Sequence, residues 1–445
     1  MTTLPLLVHA AADNIVAWRS EGAVTRQQFL AEVQELVAML PSGTHMLNLC
    51  SDRYRFSIGL AAAIVAGKIS LLPSTHTTET LRQMQAFAPD VFCLTDSATG
   101  VDLPQLAYPE SFSSTHVEMA VPQIPDTQCI AVVFTSGSTG VPQPHRKTWG
   151  GLVASVRAEA TRFELVSNPP CNLLGTVPPQ HMYGFESTVL MAWQSGNALS
   201  HAQPFYPADI CTALAALPMP RVLVSSPLHL RALLDAQLPL PELAGVISAT
   251  APLDCGLAQE IETRCDAPLM EIYGSTETGL IATRRPARTP QWQLLPGIHW
   301  AIEGERLRAC GGHIETHTAM SDTIEPLDET HFLLHGRIAD MINIAGKRHS
   351  LVSLNQLLTT LPGVIDGAFF MPDDAGAQVT RLAAAVVAPT LDADTLIAAL
   401  RAHLDPVFLP RPLLFVDALP RNATGKLPRA ALQALFAQPG ARKIA

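Results

Sequence analysis

The sequence of 445 residues lacks several patterns that would place it in common protein classes. Its eight cysteines include no C-x-x-C pair, so neither a disulfide framework nor a zinc site is predicted, and reduced thiols in a cytoplasmic protein are expected. A basic segment followed by an apolar run is missing at the N-terminus, so no signal peptide is expected. No stretch reaches about 18 uninterrupted apolar residues, so no membrane span is expected.

Positive charge is also scarce. The 29 Lys and Arg residues stand against 39 Asp and Glu residues, which gives a formal net charge of −10. This balance argues against nucleic acid as the main partner. The chain is long enough for a large core and for more than one domain.

Predicted strands and helices alternate along the N-terminal part of the chain. Thr25 and Gln28 fit a capping box, which predicts the start of an amphipathic helix that runs through Leu40. Short apolar runs between turn residues predict strands at 46–49 and 91–94, with helices between them. This β-α-β order predicts an α/β fold with a mostly parallel sheet covered by helices.

One predicted strand runs into a loop of hydroxyls and glycines. The β-prone residues from Ile130 to Phe134 predict a buried strand. Glycine lets backbone N–H groups approach a ligand and hydroxyls add donors, so the loop can cradle phosphate oxygens. A polar surface loop is the alternative, and the Gly-Lys-Ser/Thr of a P-loop NTPase is absent. The loop residues are Thr135, Ser136, Gly137, Ser138, Thr139 and Gly140.

Two later strands end in loops that carry reactive side chains. The strand 173–177 leads to His181, Tyr183 and Phe185, at the strand end where α/β sheets place ligand pockets. A hydrogen-bonded structural histidine is the alternative for His181. A further strand leads into Tyr273-Gly-Ser-Thr-Glu277, whose carboxylate suits Mg²⁺ beside phosphate oxygens. A solvated glutamate in a turn is the alternative.

Two further segments carry histidines or a lysine. His313-Ile-Glu315-Thr-His317 differs from H-E-x-x-H, and its alternation predicts a strand with these three side chains on one face rather than a metal site. From Met341 on, the predicted elements form a small α+β domain. It closes with a P-x-x-x-x-G-K-x-x-R pattern around Lys426, for which a solvated lysine is the alternative.

Together these motifs resemble the adenylate-forming (AMP-binding) superfamily of acyl-CoA synthetases, aryl-acid ligases and peptide-synthetase adenylation domains. Five ordered motifs with compatible spacing carry the resemblance from about residue 12 to residue 433. It implies a large N-terminal domain over 1–337 that binds ATP and the acid. A hinge over 338–340 and a small mobile C-terminal domain over 341–445, which carries the catalytic lysine, complete the implied organisation.

The resemblance also implies roles for individual residues. The implied catalytic residues are Lys426, Thr276, Glu277 and His181, and Glu277 would hold Mg²⁺. Gly346 would line a tunnel for the thiol. The implied acid pocket is formed by His181, Tyr183, Phe185, Ala249 and Ser275. The implied ATP-binding residues are Thr135, Ser136, Gly137, Ser138, Thr139, Gly140, Thr250, Ala251, Pro252, Tyr273, Gly274, Asp322 and Arg337.

The chain departs from the superfamily pattern at two ATP-contacting places. Ala249 and Thr250 replace the two glycines of the adenine-contacting turn. Gln143 stands where the phosphate loop usually continues with a lysine. We hypothesise that Lys147 or Arg146 supplies that charge from a neighbouring position.

Two departures also fall near the implied hinge. Ala339 replaces the first aspartate of the usual pair, whereas Asp340 matches the second. Asn343 replaces a common lysine. The resemblance therefore predicts a hinge that pivots differently or at a neighbouring residue.

The expected activity is activation of a carboxylic acid with MgATP and transfer of the acyl group to a phosphopantetheine thiol. The loop 178–186 and the phosphate-loop variant resemble the stand-alone carrier-protein synthetases of aryl-polyene and xanthomonadin-type clusters. That branch implies an aromatic acid, such as a hydroxybenzoate or hydroxycinnamate, and an acyl carrier protein. Ligation of a fatty or hydroxy acid to coenzyme A, and a nucleotide-binding protein without catalysis, are the alternatives. The oligomeric state, including a homodimer, is left open.

Overall fold

The structure is a computed structural model of the chain. It describes residues 2–73, 75–97, 101–112, 119–135, 142–166, 169–303, 306–337, 341–344, 347–372, 381–422, 425–437 and 443–444. The chain forms two compact units: unit 1 holds residues 1–302 and 308–318, and unit 2 holds residues 303–307 and 319–445. The predicted hinge over 338–340 lies outside the described residues, so the domain boundary placed there stays a prediction.

Unit 1 contains most of the strands. In chain order they are β1 (Thr3–Pro5), β2 (Ile15–Arg19), β3 (Gly22–Thr25), β4 (His45–Asn48), β5 (Ile69–Leu72), β6 (Phe92–Thr95), β7 (Gln105–Ala107), β8 (Gln123–Pro125), β9 (Cys129–Thr135), β10 (Gln143–Thr148), β11 (Asn172–Gly175), β12 (Ala198–Ser200), β13 (Arg221–Ser225), β14 (Gly245–Ser248), β15 (Leu269–Ser275), β16 (Gly279–Arg284), β17 (Trp292–Leu294), β18 (Ile298–Glu303), β19 (Arg306–Gly311) and β20 (Ile314–Ala319).

The helices of unit 1 lie between these strands. They are α1 (Arg26–Met39), α2 (Arg53–Val65), α3 (Thr78–Phe87), α4 (Trp149–Arg162), α5 (Met182–Gly184), a π-helical segment (Phe185–Leu190), α6 (Met191–Ser195), α7 (Pro207–Ala215), α8 (Pro227–Asp235) and α9 (Cys255–Cys265). The predicted capping box is confirmed, since Thr25 and Gln28 satisfy each other's backbone at the start of α1. Asp52 caps α2 and Thr148 caps α4, each through a single side-chain oxygen.

Two mixed sheets organise unit 1. The first has the order β10-β9-β5-β4-β6-β7, and its pairs are parallel apart from the antiparallel β9–β10 hairpin. In the second, β11 to β15 and the β12–β2 pair are parallel, whereas β16 and β17 continue antiparallel from β15. The parallel pairs with intervening helices confirm the predicted α/β fold.

Alternate residues of the central strands face two hydrophobic cores. Val222 and Val224 of β13 pack into the larger core, whereas Leu223 packs with the residues of α7, α8 and α9. This follows from the two-residue period of a strand. Because both faces are covered by helices, the middle residues of β13 are all apolar.

Unit 2 is a smaller α+β assembly. Its strands are β21 (Asp322–Pro326), β22 (His331–Arg337), β23 (Met341–Ile344), β24 (Lys347–Ser350), β25 (Asp366–Phe370), β26 (Ala383–Val387), β27 (Leu413–Phe415) and β28 (Lys443–Ile444). Its helices are α10 (Leu351–Thr360), α11 (Ala393–Arg401), a 3-10 turn (Pro406–Phe408) and α12 (Arg429–Ala437). Its last four strands join in the sheet β25-β26-β27-β28.

Candidate active site

The predicted phosphate loop connects two antiparallel strands. β9 is the predicted buried strand and ends at Thr135, which pairs with Gln143 of β10. Residues 136–141, which include Ser136, Gly137, Ser138, Thr139 and Gly140, lie outside the described residues. Sequence reasoning missed β10 because its residues, Gln-Pro-His-Arg-Lys-Thr, have no apolar alternation.

Two basic side chains of β10 reach the turn that carries Glu277, and burial lowers the pKa of the first, His145. His145 Nε2 lies 3.0 Å from Thr135 Oγ1 and 3.6 Å from Glu277 Oε1. Lys147 Nζ donates to the backbone oxygen of Glu277 over 3.4 Å. Arg146 lies between them in the chain, is exposed, and borders the same pocket as Lys147. Of the two cations hypothesised to replace the missing loop lysine, Lys147 is therefore the one that contacts the Glu277 turn.

The turn between β15 and β16 depends on a glycine and two hydroxyls. A Cβ on Gly274 would lie 2.2 Å from the backbone oxygen of Gly279, so only glycine fits there. Ser275 N donates to Thr278 Oγ1 over 3.1 Å, which closes the turn. Thr276 and Glu277 lie at its tip, Thr276 partly buried and Glu277 exposed.

Glu277 has the properties of a magnesium ligand. Partial burial raises the pKa of its carboxyl, but its own backbone N–H, the Ser275 hydroxyl and the charges of His145 and Lys147 outweigh that effect and lower the pKa. Among the described residues, no group of three or more His, Cys, Asp or Glu side chains could hold a metal ion by itself. A single accessible carboxylate fits Mg²⁺ that also binds phosphate oxygens, rather than a metal held by protein alone.

The predicted adenine-contacting turn follows β14. Ala249 is buried, and Thr250 adopts φ +83°, a left-handed conformation that glycine favours. Threonine thus keeps a glycine-like backbone at a position where the superfamily has glycine, at a cost of about 1–2 kcal/mol. Ala251 and Pro252 complete the turn, and Tyr273 of β15 is 9 % exposed.

The His181 loop places its aromatic residues in the hydrophobic core. His181 Nδ1 accepts from Tyr183 N over 3.4 Å and so caps the short helix α5. The Tyr183 hydroxyl oxygen lies 3.0 Å from the backbone oxygens of both Ser225 and Ile247, which share its single proton. Phe185 is fully buried. The acid-pocket roles of His181, Tyr183 and Phe185 stay predictions.

Sequence reasoning missed two buried acidic side chains in unit 1. Burial raises the pKa of Glu159 on α4 to about 8, and the Ser187 hydroxyl offsets part of this. Burial raises the pKa of Glu186 to about 7, against the lowering influence of Lys147 and the Ser155 hydroxyl. The signals in the sequence were an acidic residue at helical spacing from Leu152 and Val156, and an acidic residue directly after Phe185.

Glu186 and the Glu277 turn line one polar pocket with Lys147. Burial lowers the pKa of Lys147, while the carboxylates of Glu186, Glu277 and Glu315 raise it, and burial prevails. Glu315 itself accepts a hydrogen bond from the Thr148 hydroxyl. Lys147 is thus a half-buried cation surrounded by three carboxylates.

His313 borders the same pocket. Its Nε2 lies 3.1 Å from the backbone oxygen of Thr278, and burial lowers its pKa to about 4. A Cβ on Gly279 would lie 3.3 Å from His313 Nε2 and 3.4 Å from Glu186 Oε1. The strand predicted around His313, Glu315 and His317 is confirmed as β20, although it begins at Ile314.

In unit 2, the predicted ribose-binding residues lie on one hairpin. Asp322 begins β21 and pairs with Arg337, the last residue of β22. The spacing between them in the sequence therefore corresponds to directly opposite positions in the hairpin. Gly346, predicted to line the thiol tunnel, lies outside the described residues.

The Lys426 loop of unit 2 is held by backbone hydrogen bonds and an ion pair. Asn422 N donates to the Lys426 backbone oxygen over 2.8 Å, and Lys426 N donates to Asn422 Oδ1 over 2.9 Å. Arg421 pairs with both carboxylate oxygens of Asp366 over 2.7 and 2.8 Å, and donates to the Gly425 backbone oxygen over 3.0 Å. Lys426 itself is exposed.

The family model of the AMP-binding enzyme matches residues 53–310, which is more than half of the chain. The chain belongs to the AMP-binding enzyme family. This assignment confirms the superfamily resemblance and the ligase class that it implied. None of the helices in the part of the chain described here has the length and apolar content needed to cross a membrane.

Two curated relatives of this AMP-binding enzyme are named as coenzyme A ligases of aromatic acids. A 4-coumarate–CoA ligase from Halorhodospira halophila is 34% identical over 307 residues, which are 66% of this chain and 73% of that protein. A 4-chlorobenzoate–CoA ligase from an Arthrobacter species is 28% identical over 348 residues, 68% of this chain and 65% of that protein. The matched regions thus cover about two thirds of this chain.

Solved structures share the fold along nearly the whole chain. The o-succinylbenzoate coenzyme A synthetase from Bacillus subtilis, solved with ATP and a magnesium ion, superposes with a TM-score of 0.82 and 19% identity. That superposition covers 97% of this chain and 100% of the synthetase. At this identity the similarity establishes the fold alone.

Proposed function

We propose that the protein activates an aromatic carboxylic acid with MgATP and transfers the acyl group to a phosphopantetheine thiol. In the first step a carboxylate oxygen bonds to the α-phosphorus of ATP, and the bond to the leaving pyrophosphate breaks. In the second step the thiol sulfur bonds to the acyl carbonyl carbon, AMP leaves, and the thiol proton passes to solvent.

The observation that carries this proposal is the convergence of Thr135, His145 and Lys147 on the Glu277 turn within unit 1. Both reactants of the first step are anions, so the site must hold them in line and neutralise their charge. The hairpin supplies hydroxyls and cations, and Glu277 supplies a metal-binding carboxylate. Bound Mg²⁺ would neutralise the charge of the phosphates and orient the triphosphate of ATP.

Further roles are proposed from the family motifs alone. Asp322 can accept hydrogen bonds from both ribose hydroxyls, and Arg337 can donate to phosphate and ribose oxygens. Lys426 would stabilise the charge on the acid and α-phosphate oxygens in the transition state. Thr276 would contact the α-phosphate. These roles follow from the family motifs, and mutation of each residue tests them.

The acid is proposed to be aromatic for two reasons. The two curated relatives described above are named for aromatic acids, 4-coumarate and 4-chlorobenzoate. The His181 loop is followed by buried aromatic residues that suit a ring, although they also suit an alkyl chain. A fatty or hydroxy acid is the second candidate.

The acceptor is proposed to be the phosphopantetheine of an acyl carrier protein. The resemblance of the loop 178–186 to carrier-protein synthetases supports it, whereas the relatives named as coenzyme A ligases favour the free cofactor. The two acceptors share the reacting thiol, so the same site chemistry serves both. They differ in the surface that a carrier protein would contact.

Pyrophosphate release over a panel of acids tests the proposal. Benzoic, cinnamic, fatty and amino acids would each be incubated with MgATP and either coenzyme A or a holo carrier protein. We expect turnover with an aromatic acid and dependence on the carrier protein. Turnover with fatty acids and coenzyme A alone would replace this proposal with the second candidate. ATP binding without pyrophosphate release across the panel would favour a nucleotide-binding protein without catalysis.

A further inference from the structure

A buried carboxylate joins the adenine-contacting turn to the strand that carries Tyr273. Glu271 of β15 is 3 % exposed in its side chain. Its Oε1 accepts from the backbone N–H of Leu253 over 2.8 Å, and Leu253 directly follows the turn of Thr250. Glu271 lies two residues before Tyr273, so one side chain links both predicted walls of the base pocket.

Arg284 completes this link from the neighbouring strand. Its Nε donates to Glu271 Oε2 over 2.6 Å, and its side chain is 15 % exposed. Its second guanidinium nitrogen donates to the backbone oxygen of Leu253 over 3.3 Å. Both polar groups of Leu253 are therefore held by the Glu271–Arg284 pair, the N–H by the carboxylate and the oxygen by the guanidinium.

The same arginine supports Tyr273 through a stack of side chains. The Arg284 guanidinium carbon lies 4.6 Å from the centre of the Trp292 ring, within the range of a cation–π contact. The Trp292 and Tyr273 rings lie 5.5 Å apart at 54°. Arg284 thus contacts the turn directly and Tyr273 through Trp292.

We propose that the Glu271–Arg284 pair positions the two sides of the nucleotide base pocket and so sets the affinity for the adenine base. This inference rests on the proposed function, because that function assigns the base to the turn of Thr250 and to Tyr273. Thr250 holds a strained φ of +83°. Such conformations persist only when surrounding contacts determine them, and the pair supplies those contacts at Leu253.

A buried charge pair is a costly way to gain stability, which argues for a positional role. Well-packed apolar side chains often stabilise a fold as well as a buried ion pair does. Burial raises the pKa of Glu271 to about 7, against the lowering effect of Arg284 and the Leu253 N–H. The pair instead supplies directional bonds to one peptide unit, which apolar residues cannot do.

The chain contains a matched control pair one residue further along. Arg285 donates to both oxygens of Glu262 over 2.7 Å each, and Glu262 Oε1 accepts from Leu269 N over 2.9 Å. This pair has the same chemistry and the same type of backbone contact. It lies between α9 and β16 and contacts neither the turn nor Trp292.

The test compares Glu271→Gln with Glu262→Gln in the full-length protein. Dissociation constants for MgATP and for magnesium tripolyphosphate, which has the phosphates but lacks the base, would be measured by calorimetry. We expect Glu271→Gln to weaken MgATP binding about tenfold and to leave tripolyphosphate binding within about twofold. Glu262→Gln should change neither constant by more than about twofold.

Three results separate the outcomes. Unchanged MgATP affinity in Glu271→Gln, or equal losses in both variants, would overturn the positional role while the proposed function stands. Wild-type protein that fails to bind MgATP would overturn the proposed function and the inference with it. If Glu271→Gln does not fold, Arg284→Lys carries the same comparison, because lysine keeps the charge but cannot bond Glu271 and Leu253 in the same fork geometry.

Discussion

The proposed chemistry uses two lysines whose surroundings differ completely. Lys147 of unit 1 is half-buried among Glu186, Glu277 and Glu315, and burial lowers its pKa. Lys426 of unit 2 is exposed on a loop whose backbone is held by Asn422. The first lysine has its position fixed by the fold. The second has its backbone held by Asn422, whereas its side chain is exposed.

This difference separates ground-state binding from transition-state stabilisation. A cation that is fixed beside the metal-binding turn contributes equally before and during the reaction, so it lowers KM more than it raises kcat. A cation that engages only when the acid and ATP are aligned raises kcat. The comparison therefore assigns ATP affinity to Lys147 and the rate of adenylate formation to Lys426.

The largest expected effect comes from Lys426. We expect Lys426→Ala to reduce adenylate formation by about 10²–10³, as removal of a charge-stabilising donor does in other enzymes. Thiol transfer from a supplied acyl-adenylate should remain within a few-fold of wild type. Single-turnover assays of the two half-reactions measure this, with Lys426→Arg as the variant that keeps the charge. Equal loss of both steps would contradict the role.

Lys147 should affect affinity rather than rate. Loss of one charge-assisted contact in Lys147→Met is expected to raise the dissociation constant for MgATP about 10- to 100-fold, with kcat changed less. Arg146→Gln is the comparison variant, because Arg146 is the neighbouring cation on β10 and is more exposed than Lys147. Similar ATP affinity in both variants would show that Lys147 does not replace the missing loop lysine.

The buried acids of unit 1 should make its stability depend on pH. The pKa of Glu159 is raised to about 8 in the folded chain, so the folded state must hold a buried charge as the pH rises through that value. The contribution of Glu159 to the free energy of unfolding should therefore be largest below about pH 5. It should fall by about 2 kcal/mol or more as the pH rises toward 9.

Glu159→Gln tests that pH dependence. Urea unfolding at pH 6 and pH 9 should show a smaller fall in the variant than in wild type, since glutamine cannot ionise. Part of the loss of stability should remain in the variant, because Glu186, with a pKa raised to about 7, still ionises. The exposed Glu164 on the same segment provides the control, and its glutamine variant should follow wild type. If stability falls as much in Glu159→Gln as in wild type, another group is responsible for the pH dependence.

The smallest effect is expected at the base of the Lys426 loop. Arg421→Gln removes a partly exposed ion pair with Asp366 and a bond to the Gly425 backbone oxygen, at a cost of about 1 kcal/mol in stability. Adenylate formation should fall a few-fold, because the loop that places Lys426 loosens. Thermal unfolding and the half-reaction assay measure both effects. A loss as large as that of Lys426→Ala would mean that Arg421 itself contacts the substrates.

Local patterns allowed much of unit 1 and unit 2 to be predicted. The Thr25–Gln28 capping box, the buried strand before Thr135 and the strand before Tyr273 were confirmed, because each depends on residues close together in the sequence. The β9–β10 hairpin was missed, since polar residues formed β10. Lys147 and Glu277 are 130 positions apart, so their contact could not be read from either segment.

The backbone of the adenine-contacting turn shows a second limit of sequence reasoning. Replacement of glycine by Thr250 made the turn uncertain, yet the left-handed φ is retained. Glu271 carried no sequence signal, because a single acidic residue in an apolar strand has the pattern of many strands. Its partner Arg284 lies on the next strand, and only the antiparallel pairing of β15 with β16 places Glu271 opposite Arg284.

The central claim is that the acid attacks the α-phosphorus of ATP. The most direct test is to supply the accepted acid with its carboxylate labelled with ¹⁸O and to analyse the nucleotide product by mass spectrometry after thiol transfer. The account predicts AMP that carries one ¹⁸O atom, because the bridging oxygen of the acyl-adenylate leaves with the nucleotide. Formation of ADP with the label in inorganic phosphate would contradict it.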